Sequence, residues 1–130
     1  MFIEINPGSP VAVYEQVVMQ IKFAIATGAI REGEMIPSIR DMAKRLAINP
    51  NTVARAWRIL QDDGTVFFSR GSGLTVAQGA TEKCKEERRQ WFEKRFSQLI
   101  GEALQCGLSS REIVTLVESE LTGSDPNITK

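Results

Sequence analysis

The sequence predicts a mainly α fold with a small β wing: a winged helix-turn-helix followed by a C-terminal two-helix hairpin. Three observations predict it. Ser38 and Asn49 are helix-capping residues placed ahead of two short apolar-periodic segments. Two β-prone runs flank the turn Arg70-Gly71-Ser72-Gly73, whose glycines accept positive φ. From Thr81 the composition shifts to long charged segments with apolar stripes, ordinary for surface helices.

In chain order, Pro7, Gly8 and Pro10 block a helix over residues 1–10. The first helix is expected from about Val11 to Thr27, with Tyr14, Val17, Val18, Ile21 and Ile25 on one face and Gly28 as the stop. Ser38 with Asp41 makes a capping-box pattern for the second helix, whose Ile39, Met42, Ala43 and Leu46 are expected in the core. That segment breaks at Ala47-Ile48. Asn49 caps a third helix, Pro50 takes its first position, and Gly64 follows its expected end near Asp62. Val53, Ala56, Trp57 and Leu60 form its buried face, and Asn51, Arg55 and Arg58 fall on the opposite one. Thr65–Ser69 and Leu74–Val76 make the wing. A long helix from Thr81 to about Gln105 carries Phe92, Phe96, Leu99, Ile100, Ala103 and Leu104 as a stripe. Ser109 and Glu112 then cap a last helix holding Ile113, Leu116, Val117 and Leu121. The expected domains are 1–78 for the winged part, 79–123 for the helical segment, and a disordered tail at 124–130.

The 130 residues suit one domain of ordinary size, 42% hydrophobic and 25% charged. No apolar run reaches membrane-spanning length. The N-terminus lacks a basic n-region and an apolar h-region, so a cytoplasmic protein is expected. There is no histidine, and Cys84 and Cys106 lie far apart; the reading is two free thiols, Cys84 a surface one, with no metal site and no cofactor. An enzyme is disfavoured because no nucleophile constellation, metal spacing or phosphate loop occurs. Net charge is zero, yet residues 38–73 hold six basic against three acidic residues, a local excess that can follow phosphates. The part from Thr81 holds eight basic and nine acidic residues, as a solvated helix surface would.

The chemistry of a DNA groove fits these pieces. Short polar and forked basic groups at the start of a recognition helix reach base edges. Asn51 can pair with adenine and Arg55 with guanine, while Thr52 and the helix N-terminus can hold a phosphate. Arg58 extends the same face. Arg40 either points at DNA or pairs with Asp41 or Glu34. In the wing, Arg70, Gly71 and Ser72 are candidate contacts; the two glycines serve first as turn-makers. The C-terminal stripe is too apolar for two helices to bury between themselves. A second copy would cover it in a C2 dimer through Trp91, Phe92, Phe96, Leu99, Ile100, Leu104, Ile113, Leu116 and Val117; packing back onto the winged part is the alternative.

Several motifs in order resemble the GntR family of bacterial transcription regulators. They are Pro10-Val11-Ala12-Val13-Tyr14-Glu15-Gln16-Val17, Gly33-Glu34, Ile36-Pro37-Ser38-Ile39-Arg40-Asp41-Met42-Ala43, Asn49-Pro50-Asn51-Thr52-Val53-Ala54-Arg55-Ala56 and Arg70-Gly71-Ser72-Gly73. The resemblance covers roughly residues 10–77. The Asn49–Ala56 version and the short two-helix tail look like the YtrA subfamily. The resemblance implies a dimeric repressor on an inverted-repeat operator of double-stranded DNA, often near ABC-transporter operons. It puts Ser38, Arg40, Asn49, Asn51, Thr52, Arg55, Arg70 and Gly71 at or near DNA. Departures are Ile36 where the family often has Leu, Ala47 where Gly is common, Ala54 where many relatives have Arg, and an insertion near Ala12-Val13; they bear on the operator sequence. Any small-molecule effector would have to lodge between the C-terminal helices or at the dimer interface. The rival reading is a winged-helix protein-interaction module without operator binding, motivated by zero net charge and by Trp91, Phe92 and Phe96.

Overall fold

The computed structural model describes residues 5–71 and 73–124. In chain order it contains α1 (Val13–Thr27), α2 (Ile39–Leu46), α3 (Pro50–Asp62), β1 (Val66–Ser69), β2 (Gly73–Val76), α4 (Ala80–Gln105) and α5 (Ser110–Ser124). The described residues fall into two compact units, one running through Arg89 and one starting at Gln90.

In the first unit each helix boundary has a local cause. The α1 helix begins at Val13, two residues later than expected. The Gln16 side chain folds back and donates to the carbonyls of Asn6 and Val11, both at 2.9 Å, holding the preceding segment out of the helix. Gly28 ends α1 in the left-handed region at φ 85°. Ser38 Oγ accepts from the Asp41 N–H at 3.1 Å, and Asn49 Oδ1 from the Asn51 N–H at 2.8 Å, the two caps expected from sequence. Between α2 and α3, Ala47 adopts φ 55°. A residue with a Cβ there bears a small strain that glycine avoids.

The core joins α1, α2, α3, the wing and the first turns of α4. Val17, Ile21 and Ile25 meet Met42, Val53, Trp57, Leu60, Val66 and Val76. The Trp57 indole N–H donates to the Pro37 carbonyl at 3.0 Å, so the large ring is buried without stranding its polar edge. The strands pair antiparallel with Val66 opposite Val76 and Ser69 opposite Gly73. Met35 bridges to Thr75 on the other side of β2, and Ile36 N–H reaches the Leu74 carbonyl at 3.0 Å. The 33–36 segment thus covers an edge the hairpin would otherwise expose.

Three expectations change. Ile39 is exposed, because it sits in the first turn of α2 beside an open cleft. Cys84 is no surface thiol: it is fully buried against the core, and burial, helped by the Glu87 carboxylate, pushes its thiol up to about 11. With Ala80 also buried, the winged unit draws in α4 as far as Arg89 rather than ending near residue 78.

An ionic cluster ties three elements of this unit together. Lys22 Nζ lies 2.7 Å from Asp63 Oδ2 and 2.5 Å from Glu87 Oε2. Burial alone would lower the Lys22 pKa; the hydrogen bonds to Asp63 and Glu87 outweigh it and raise it. Burial likewise opposes ionisation of Asp63, but the bonds from Lys22 and Thr65 hold its carboxyl below the ordinary range. Lys83 also donates to the Asp63 carbonyl. Glu32 caps α4 from outside, accepting from the Thr81 N–H at 3.1 Å.

In the second unit the Ser109–Glu112 box closes in both directions, at 2.9 and 3.1 Å, and starts α5 as expected. The helix continues through Gly123 to Ser124, past the point where disorder was expected; residues 125–130 of that expected tail lie outside the described residues. Trp91 meets Phe92 edge to face at 4.9 Å, and the Arg95 guanidinium covers the Trp91 ring at 4.4 Å. Phe92, Phe96, Leu99, Ile100, Leu104, Leu116 and Val117 are all exposed, while Trp91 and Ile113 are half-buried.

Candidate nucleic-acid interface

The interface is built on α3. Its inner face is sealed: Val53, Ala56 and Leu60 are fully buried and Trp57 nearly so. Because the helical period is 3.6, this burial fixes which residues turn outward. Asn51, Arg55 and Arg58 are exposed and Thr52 is half-buried at the first turn. Asn49 is exposed and spends its Oδ1 on the cap. Pro50 has no N–H, and the N–H groups of Asn51, Thr52 and Val53 all bond to Asn49, so the start of α3 presents side chains, an asparagine and an arginine together.

The flanking elements add positive charge. Arg40 is exposed in the first turn of α2, and Ser38 is exposed as its cap. Glu34 pairs with Arg31 instead, at 3.8 Å, and Arg40 forms no ion pair among the described residues. Neither do Arg55, Arg58 and Arg70. Four arginines on α2, α3 and the wing turn thus stand without a carboxylate partner among the described residues. Elsewhere in the chain, Lys22, Lys83, Lys85 and Arg89 are neutralised by neighbouring acids. Arg70 and Gly71 are exposed in the wing turn, Gly71 at φ 82°; Ser72 lies outside the described residues.

Sequence reasoning missed three features here. Tyr14 was read as part of the α1 core stripe. It is half-buried, and the Arg55 guanidinium lies 3.8 Å from its ring centroid. An aromatic at the start of one helix and an arginine on another carry no mutual signal in sequence. Phe67 and Phe68 on β1 are 50% and 69% exposed, which the β-prone run did not reveal. An open cleft of about 670 Å³ separates the wing from α2, lined by Met35, Ile39, Arg45, Trp57, Phe68 and Leu74. Among the described residues no cluster of metal-ligating side chains occurs, and no helix is long and apolar enough to cross a membrane.

This arrangement has counterparts of known family. The sequence profile of the bacterial regulatory proteins of the gntR family matches residues 13–76, from the first residue of α1 to the last of β2. The HTH-type transcriptional regulator Rv1152 of Mycobacterium tuberculosis is 30% identical over 89 residues, which cover 62% of this chain and 72% of that protein. The chain belongs to the GntR family. Similarity extends beyond the winged unit. The HTH-type transcriptional repressor YtrA of Bacillus subtilis is 27% identical over 128 residues, covering 96% of this chain and 98% of the relative. The solved structure of a GntR family transcriptional regulator from Listeria monocytogenes matches with a TM-score of 0.69 at 25% identity, covering 88% of this chain and 97% of that one. The GntR fold here is a winged helix-turn-helix with two C-terminal helices.

Proposed function

We propose that this GntR chain is a sequence-specific repressor that binds an inverted-repeat DNA operator as a homodimer. One observation carries the reading: the outward face of α3 is free, with Asn51 and Arg55 exposed and no acid neutralising Arg55 among the described residues. Asn51 reads adenine and Arg55 reads guanine in the major groove, each through a bidentate pair. Thr52, Asn49, Ser38 and Arg40 hold backbone phosphates around the α3 N-terminus, and Arg58 extends the charged face. Arg70 and Gly71 bring the wing to the neighbouring backbone or minor groove. The full-length similarity to a protein named a repressor supports the sense of regulation.

The dimer rests on the exposed apolar positions of α4 and α5. Phe96, Leu99 and Leu116 are each more than half exposed, and a second copy of the same surface would cover them. Two α3 helices then enter successive major grooves about 34 Å apart.

The experiment is a binding assay on duplexes recovered from a randomised pool, at matched salt. Arg55→Ala is expected to cost about 1–3 kcal/mol on the preferred site and to relax the base preference there. Equal affinity for parent and variant removes the recognition role from α3. The exposed aromatics of α4 also motivate a protein-interaction module; a stable dimer that shifts no duplex at low salt selects that reading instead.

A further inference from the structure

The geometry points to Tyr14 as a positioning residue for Arg55: a fixed aromatic platform that sets the guanidinium edge-on toward the base it reads. The inference rests on the proposed role of α3 and adds a residue from a different helix to it.

Tyr14 lies one turn before Val17 and Val18 on α1, and Arg55 immediately precedes Ala56 and Trp57 on α3. All four of these neighbours are buried in the same core, Val17 and Ala56 completely. The two helices are therefore locked in register just beneath the pair. The Tyr14 ring is half-buried, which limits its motion, and the guanidinium carbon sits 3.8 Å from the ring centroid. At that distance the cation rests against the π face.

This contact differs in kind from an ion pair. A carboxylate would occupy the N–H fork that has to meet guanine O6 and N7. An aromatic ring engages the guanidinium without needing its hydrogen-bond donors, so the in-plane fork stays available. Arg55 has no ion pair among the described residues, in keeping with that division. A long arginine otherwise loses several rotors when it docks; restraining it beforehand lowers that cost. Tyr14 thus strengthens base discrimination without touching the base.

The test uses the full chain and the duplex recovered with the parent protein from a randomised pool. Tyr14→Leu and, in parallel, Tyr14→Met remove the ring and keep apolar volume. Each is expected to weaken binding to that duplex about three- to tenfold and to reduce discrimination against substitution of the guanine read by Arg55. Affinity for an unrelated duplex of the same length is expected to hold. Tyr14→Phe keeps the ring and is expected to restore both quantities. In an Arg55→Ala background the ring-removing changes are expected to cost less than about twofold, because the group they act through is gone.

The outcomes separate cleanly. Full additivity of Tyr14→Leu with Arg55→Ala overturns the positioning role and leaves the recognition helix intact. So does a Tyr14→Phe variant as weak as Tyr14→Leu, which would assign the effect to the phenol hydroxyl. Equal loss on specific and unrelated duplexes also overturns it, since a general structural defect behaves that way. If Arg55→Ala itself leaves binding and base preference unchanged, the recognition role of α3 fails first and the positioning role falls with it.

Discussion

Lys22 is the residue on which the winged unit's polar interior depends. Its ammonium sits between Asp63 and Glu87, and its side chain is only 10% exposed. The carboxylates are 31% and 28% exposed, so water screens part of the interaction. Lys22→Met leaves two carboxylates facing an apolar chain, and a loss of about 2–3 kcal/mol is expected in urea unfolding. The same cluster sets a pH window. Asp63 titrates below its ordinary value of 3.8 in the fold, so its contribution is present above that pH and disappears as the pH falls through the folded value. Lys22 titrates above its ordinary 10.5, so its contribution is full below that pH and disappears as the pH rises through the folded value. Unfolding curves across the acid range are expected to lose this dependence in the Lys22→Met/Asp63→Asn double variant. None of this was legible in the chain: Asp63 and Glu87 lie 41 and 65 positions from Lys22, beyond the reach of any local pattern.

At the scale of an element, the turn between α2 and α3 decides how the α3 N-terminus is presented. Asn49 caps α3 through the Asn51 N–H, and Pro50 fits the first position with no N–H to lose. Asn49→Ala is expected to lower stability by about 1 kcal/mol in thermal unfolding and to weaken operator binding as the first turn frays. Asn49→Ser keeps an oxygen at the cap and is expected to retain most of the stability. These helices were readable because caps act over three residues or fewer: Ser38, Asn49 and Ser109 all do in the structure what their spacing implies. The start of α1 was not, because Gln16 reaches back to Asn6 across ten positions. Ile39 shows the same limit. Helical spacing places it on the inward stripe of α2, yet the space in front of it is an open cleft.

At the scale of the molecule, the proposed dimer rests on the exposed stripe of α4 and α5. Phe96→Glu places a charge among Phe92, Leu99 and Ile100, all exposed apolar positions of α4. Sedimentation is expected to give a monomer at concentrations where the parent is a dimer, and operator affinity is expected to fall because two half-sites are no longer held together. The winged unit is expected to keep its thermal transition, since its core residues end at Cys84. A dimer unaltered by Phe96→Glu would place the contact elsewhere.

The order of caps, stripes and turn residues was enough to determine the wing, the outward face of α3 and the helices apart from the start of α1, since each follows from interactions within a few residues. Tertiary packing alone decided that Cys84 is sealed, that Lys22 joins three elements, and that Tyr14 meets Arg55. Burial and ring contact depend on which distant segment arrives at a given point in space, and helical period gives a residue's direction without saying what stands in front of it.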